Sequence, residues 1–172
     1  LDVDDDLTLT AGTLDVSASN YGITVGGDWT DSGAGAFTER AGTVTFDGTG
    51  TLNSNEAFND VTINTSGTIT LGAALDVDDD LTLTAGTLDV SATNYAITLA
   101  GTWSNSATFT QRSGTVTLDG TSQTITGSAN TTFYNLAKSV TSAATLTFNN
   151  LRTTTISNNT TATAPLPRSP SR

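Results

Sequence analysis

The segment LDVDDDLTLTAGTLDVS decides the fold, because it occurs twice, from Leu1 to Ser17 and again, letter for letter, from Leu75 to Ser91. Aligned from these two starts, about three quarters of the first ~33 positions are identical. Small insertions and deletions then shift the two copies against each other, so that the stretch beginning at Phe37 returns at Phe109. The chain is therefore a tandem repeat with a unit of about 74 residues.

Apolar residues within a unit alternate with polar ones, which predicts short, half-buried β-strands rather than helices. Turn-forming Ala-Gly, Asp-Gly, Gly-Gly and Asn/Ser clusters separate these stretches, and no proline occurs before Pro165. The alternating pairs are Leu7/Leu9, Leu14/Val16, Ile23/Val25, Val44/Phe46, Val61/Ile63, Ile69/Leu71 and Leu75/Val77.

The unit length selects among all-β architectures. A unit of about 74 residues divides into about three stretches of roughly 22 to 29 residues, the size of one β-helix coil. The sequence therefore predicts an all-β parallel β-solenoid of two tandem units, 1–74 and 75–150, with about three coils each. Because coils stack at ~4.8 Å, we expect like side chains to fall into axial rows. Residues 151–172 are predicted to be a divergent strand or linker ending in a basic, proline-rich tail.

Charge and composition exclude several classes of partner and chemistry. The formal net charge is −11, with no histidine and with Lys138 as the sole lysine, so no basic stripe is present to bind nucleic acid or anionic membrane. The absence of cysteine excludes disulfides and thiolate chemistry. No apolar run approaches the roughly 20 residues of a membrane span. Because residue 1 opens inside a repeat, we expect mature material or a piece of a longer protein.

The acidic stretch at the start of each copy is a candidate Ca²⁺ site, since several carboxylate oxygens lie close in sequence. The candidate ligands are Asp2, Asp4, Asp6, Asp76, Asp78 and Asp80. The spacing fits neither an EF-hand loop nor the glycine-rich nonapeptide of calcium-binding β-rolls. The competing interpretation is a solvated turn whose charges discourage lateral aggregation. Apart from calcium, the sequence indicates no cofactor.

Two further surface hypotheses follow from residue types that recur in each unit. Thr-x-Thr motifs suit ice binding if they share one face, although they fall in different parts of the unit. Recurring aromatic residues, Trp29/Trp103, Tyr21/Tyr95 and Phe37/Phe109, would suit glycan stacking, but we expect them to cap or fill the solenoid interior, a role in which a Trp N–H can still be donated to a loop carbonyl. Arg40 and Arg112 are expected to pair with nearby acids.

The repeated strand patterns resemble those of a known class of protein. The patterns GTVTFDGT, an aromatic followed by VTIN, GTITL, and GxW(T/S) resemble the threonine- and glycine-rich strand repeats of very large bacterial surface proteins, in the style of autotransporter passengers and filamentous-haemagglutinin-like adhesins. The resemblance covers residues 1 to about 150. It implies an extracellular or cell-surface stalk, adhesin or fibre, and it carries over no catalytic residue.

We therefore expect a structural or adhesive segment and no enzyme. A polysaccharide-degrading β-helix enzyme is the less favoured alternative, because Glu39 and Glu56 are the only glutamates and no histidine is present. The chain is expected to associate with itself through solenoid ends or neighbouring repeats. It would be either an excerpt of a long stalk or a filament subunit that stacks head to tail, while a glycan or another surface ligand remains a second kind of partner.

Overall fold

The chain folds into a parallel β-solenoid of about seven turns in the computed structural model, which describes residues 1–31, 33–150 and 152–163. The described residues contain no helix, and so none that could cross a membrane. Every strand pair is parallel, which confirms the predicted fold class. The proline-rich part of the predicted tail, from Pro165 on, lies outside the described residues.

The strands are mostly short, because most of them cross one side of a narrow coil before a turn. They are β1 (Asp2–Val3), β2 (Leu7–Leu9), β3 (Gly12–Asp15), β4 (Ile23–Val25), β5 (Trp29–Asp31), β6 (Gly35–Thr38), β7 (Thr43–Phe46), β8 (Gly50–Asn53), β9 (Asp60–Leu71), β10 (Leu75–Val77), β11 (Leu81–Asp89), β12 (Ile97–Leu99), β13 (Trp103–Asn105), β14 (Thr108–Thr110), β15 (Thr115–Leu118), β16 (Ser122–Gly127), β17 (Thr131–Ser139), β18 (Thr145–Asn150) and β19 (Thr154–Thr163).

These strands form three axial stacks within the described residues. The first stack runs β1-β4-β7-β9-β11-β13-β16-β18, and the second runs β2-β5-β8 and then through the second halves of β9 and β11 to β14. The third contains β3-β6 and, further along the axis, β10-β12-β15-β17-β19. Phe58 connects these two parts, since its ring contacts Phe37 and its backbone bridges to Val77.

Corresponding strands of the two copies lie in different stacks. One column of the first stack contains Val3, Val25, Phe46, Ile63, Leu83 and Asn105. Val77, the copy of Val3, instead pairs with Leu99 in the third stack. Each copy spans about three and two-thirds turns, so the second copy is rotated by one stack relative to the first. Like side chains therefore form axial rows, as expected, although the two copies of one residue do not lie in the same row.

The rotation arises because a repeat of about 74 residues is not a whole number of turns, and the turns themselves differ in length. Paired residues lie as few as 17 positions apart, as for Thr43 and Asp60, and as many as 24 apart, as for Leu136 and Thr160. Loops between strands absorb these differences without disturbing the ladder. The local pairings of each copy are nevertheless the same.

Aliphatic and aromatic side chains fill the interior. Trp29, Phe46 and Phe58 in the first copy, and Trp103 and Phe133 in the second, are fully buried. Their rings meet edge to face, as for Trp29 and Phe58 with centroids 5.1 Å apart. Such aromatic pairs add to the stabilisation from burying apolar area.

A charged clamp closes the same corner in both copies. Arg40 donates to both carboxylate oxygens of Asp15 at 2.6 and 2.8 Å, and Arg112 does the same to Asp89 at 2.6 and 2.7 Å. This confirms the expected acidic partners, and Arg40 holds the pKa of Asp15 at about 2. Both arginines adopt positive φ values, 47° and 42°, in the left-handed region that residues other than glycine seldom occupy.

Close stacking at one turn requires glycine. A Cβ atom added to Gly48 would overlap the carbonyl oxygen of Gly26, and one on Gly120 would overlap that of Ala100. The Asp-Gly turns of both copies therefore have a steric cause, which is the close approach of the preceding turn.

The last turns are more polar than the rest. Lys138 stacks below Leu118 and donates to the Gly120 carbonyl and to Oε1 of the buried Gln123. The divergent segment after residue 150 includes β19, which pairs with β17 of the same chain rather than remaining a free linker. Thr160 there pairs with Leu136, so the C-terminal edge carries polar side chains at core positions.

We predict unequal costs for two identical core truncations. Leu83 is fully buried, whereas its copy Leu9 is partly exposed on the first turn. Leu83→Ala should lower the free energy of unfolding by about 3 kcal/mol, and Leu9→Ala by about 1 kcal/mol, because a cavity forms only at the covered site. Chemical denaturation of both variants measures the difference. Equal losses would contradict the described stacking.

Candidate functional site

Aspartates at the corners link successive turns. Oδ1 of Asp6 accepts a hydrogen bond from the Asp28 backbone N–H at 2.8 Å, and Oδ1 of Asp28 accepts one from Thr51 N–H at 2.6 Å. Each of these aspartates immediately precedes an inward-facing residue of a strand. Its carboxylate therefore satisfies a backbone donor of the following turn.

The same series of aspartate-to-backbone hydrogen bonds, a relay from each turn to the next, recurs at the junction of the two copies. Oδ1 of Asp60 accepts from Asp80 N–H at 3.0 Å, and Oδ1 of Asp80 accepts from Thr102 N–H at 2.6 Å. Asp60, Asp79 and Asp80 each place a carboxylate oxygen within 4.8 Å of the others. This acidic junction, defined by these three residues, is the candidate functional site.

Only one of the six candidate calcium ligands belongs to the acidic junction. Asp80 lies in it, while Asp76 and Asp78 do not join any such group among the described residues. In the first copy, Asp2 pairs with Thr24 on the first stack, Asp4 is exposed beside Gly26, and Asp6 forms the relay to Asp28.

Asp60 was missed by sequence reasoning because it lies outside the acidic stretch. It enters the site only because the first copy's last turn stacks directly above the second copy's acidic stretch, with Val61 paired to Leu81. Its backbone position before an alternating Val-Thr-Ile strand was the one available signal. Without the rotation between copies, that signal does not indicate Asp80 as its neighbour.

Two aspartates have raised pKa values. Partial burial, followed by the negative charges of Asp80 and Asp60, raises the pKa of Asp79. Partial burial also raises the pKa of Asp76, with smaller contributions from Asp78 and Asp119. In both cases the protonated form is favoured in the folded chain.

The acidic junction offers oxygen ligands but uses part of them internally. Three carboxylates are a chemically suitable start for Ca²⁺, which takes 6 to 8 oxygens. Two of the oxygens already accept backbone hydrogen bonds, which matches the interpretation of the acidic stretch as a structural turn. Calcium binding stays a prediction from the sequence, and the relay is the role that the geometry supports.

The aromatic residues do not form an exposed platform. Trp29, Trp103, Phe37 and Phe109 are buried as expected, whereas Tyr21 is 66% exposed and Tyr95 is partly buried. Neither Trp donates its N–H to a loop carbonyl: Nε1 of Trp29 and of Trp103 is buried without a partner among the described residues. Phe37 packs edge to face against Trp29, and Phe109 packs in the same way against Trp103.

Hydroxyl side chains form a continuous column on the first stack. Thr-x-Thr motifs at 43/45, 82/84, 124/126 and 145/147 contribute residues to this stack, because the rotation brings parts of both copies onto it. All members of the column are half-buried and alternate with inward-facing residues along their strands. The hydroxyl column consists of Thr24, Thr45, Thr62, Thr82, Ser104 and Thr126.

Comparison with known proteins adds no assignment. No family model matches the chain, and neither a curated protein nor a solved structure shows significant similarity to it. Function must therefore be argued from the solenoid itself.

We predict that Asp79→Asn stabilises the fold at pH 7. The raised pKa of Asp79 means that its ionised form opposes folding, so the penalty is absent below about pH 4 and appears as the pH rises through the folded-state pKa. The expected gain is about 0.5 kcal/mol after allowing for solvent screening. Thermal unfolding at pH 7 and pH 3 measures it.

Asp5→Asn is the matched control, because Asp5 is the copy of Asp79 but has no Asp60 stacked above it in the described chain. It should change the stability less. A loss of stability in Asp79→Asn would contradict the inference that the ionised Asp79 carboxylate opposes folding. A Ca²⁺-induced rise in Tm that Asp79→Asn abolishes would show instead that the acidic junction holds an ion.

Proposed function

We propose that the chain is a structural segment of an extracellular stalk, adhesin or fibre, in which repeat units stack along one axis. The observation that carries this proposal is the junction between the two copies. Val61 pairs with Leu81 and Ile69 pairs with Leu88 in the same parallel ladder that operates inside each copy. Adding a unit therefore extends the ladder without requiring a new kind of interface.

The surface supports a role through shape rather than chemistry. A cavity of about 260 Å³ lies at the N-terminal edge, and one of about 360 Å³ lies near the junction, where Asp76 is its single titratable lining residue. A glycosidase-type mechanism needs two suitably placed carboxyl groups beside a substrate cleft. The proposal accordingly assigns no catalytic activity to the chain.

Composition and resemblance support the extracellular part of the proposal. The Thr- and Gly-rich strand patterns resemble repeats of large bacterial surface proteins, and the chain contains no cysteine and a single lysine. The partner in this proposal is another repeat unit, supplied by neighbouring sequence or by a second molecule stacked head to tail. The net charge of −11 disfavours nucleic acid as a partner.

The test is a series of chains with two, three and four units, made by inserting further copies of residues 1–74 between Ala74 and Leu75. Each added unit should lengthen the particle by about 18 Å at constant width, as measured by electron microscopy and small-angle scattering. Sedimentation over a wide concentration range reports end-to-end association. Units that fold as separate bodies, with no regular increment in length, would contradict the stalk proposal.

The hydroxyl column favours a second candidate function, which is binding to an ordered lattice such as ice or a crystalline glycan. Successive hydroxyl residues lie one turn apart, a spacing of ~4.8 Å, and no charged side chain interrupts the column from Thr24 to Thr126. Threonine there presents both a methyl group and a hydroxyl group on a regular surface.

A charge placed in the middle of the hydroxyl column tests this candidate. Thr62→Lys should reduce thermal hysteresis, or retention on crystalline polysaccharide, by about ten-fold, since a long cationic side chain breaks a flat contact surface. Thr117→Lys is the matched control, because Thr117 lies between Thr98 and Ala137 in the third stack. The candidate fails if the unmodified chain has neither activity, or if both variants lose it equally.

A further inference from the structure

The N-terminal edge of the solenoid, formed by β1, β2 and β3, has the same sequence as a segment that is covered elsewhere in the chain. Leu81, Leu83 and Leu88 of the second copy are fully buried. Their copies in the first unit are less so: Leu7 is 8% exposed, and Leu9 and Leu14 are only partly buried. Because the sequences are identical, the difference arises from what lies above each segment.

The last turn of the first unit covers the second copy. Its β9 places Val61 over Leu81, Ile63 over Leu83 and Ile69 over Leu88.

Backbone hydrogen bonds tie the same turn to the acidic stretch. Asp78 N–H donates to the Phe58 carbonyl at 2.7 Å, and Asp79 N–H donates to the Asn59 carbonyl at 2.9 Å. The covering turn is thus joined to the second copy by apolar contacts, a strand ladder and the Asp60 relay to Asp80 N–H.

The first copy presents the same recognition groups uncovered. Its edge has a cavity of about 260 Å³ lined by Leu14, Val16, Tyr21 and Ile23 among others. Leu14 is the copy of Leu88, over which Ile69 packs at the junction. The cavity therefore lies where an apolar side chain of a covering turn would pack.

We infer that the N-terminal edge binds the last turn of another copy of the repeat unit, a segment equivalent to 57–74, in the parallel register of the internal junction. This inference rests on the proposed function and specifies which surfaces meet. The described C-terminal turn matches this edge less well, because Thr160 pairs with Leu136 there, whereas the apolar Leu81 pairs with Val61 at the junction.

The identity of the occupant follows from complementarity with the edge. A turn of this sequence brings Val, Ile and Ile to the three leucines and a carboxylate to the N–H of Asp6, as Asp60 does for Asp80. The net charge of the edge itself, with Asp2, Asp4, Asp5 and Asp6, disfavours an acidic peptide that lacks this register.

The experiment adds residues 57–74 directly ahead of Leu1 in the full chain, so that the added Ala74 precedes Leu1 as it precedes Leu75. Hydrogen exchange of the amides in 7–15 should slow by about ten-fold towards the rates of 81–89, because the two segments have the same intrinsic exchange rates. Tm should also rise. Unchanged exchange in 7–15 would overturn the inference.

A matched control adds the same segment with Val61→Ser, Ile63→Ser and Ile69→Ser in the added copy only. This extension should leave exchange in 7–15 unchanged, since its inward side chains no longer fill the edge. Equal protection by both extensions would overturn the assigned register. If the extension fails to protect while the unit series still lengthens regularly, the edge inference falls and the stalk proposal stands; the opposite pair of results removes the stalk proposal alone.

Discussion

The parallel hydrogen-bonded ladder between successive turns is the interaction on which the rest of this structure depends. Most strands are only a few residues long, so a single turn buries little and has no stability of its own. Stacking at ~4.8 Å gives every turn two neighbours, pairs its backbone groups and buries its inward side chains against those of the turns above and below. A turn at the edge has only one such neighbour, which is why identical sequences differ in burial.

The rotation between the two copies determines the surface features. It places Asp60 of the first copy above Asp80 of the second, which creates the acidic junction. It also brings hydroxyl residues from both copies into one column, since Thr62 is followed by Thr82 rather than by Asp76. Had the repeat been a whole number of turns, acidic residues and threonines would have lain in separate, repeated rows.

Much of the fold was predictable because alternation and the repeat are local properties of the sequence. The period of two in segments such as Val44/Phe46 indicates strands, and the near-identity of the copies indicates a solenoid. The pairing of Arg40 and Arg112 with acids was also predicted correctly, although their specific partners, Asp15 and Asp89, depend on stacking. Those partners lie about one turn away and become neighbours only when the turn length is known.

The rotation of one copy relative to the other was not predictable, because it depends on the length of every turn in the unit. Turn lengths differ by several residues, and an error of a few residues in each turn accumulates to a full stack within one unit. Because of that uncertainty, sequence reasoning did not assign Asp60 to the acidic junction. The unpartnered indole N–H groups of Trp29 and Trp103 could not be predicted either, because hydrogen-bond partners of a buried group depend on tertiary packing.

Disulfide trapping in this cysteine-free chain tests the rotation between copies most directly. The described register places Thr62 directly beside Thr82, at the separation that an inter-strand disulfide tolerates. The double variant Thr62→Cys with Thr82→Cys should therefore form an intramolecular disulfide under mild oxidation, and Thr62→Cys with Asp76→Cys should not. The opposite result would place the copies in phase and contradict the account.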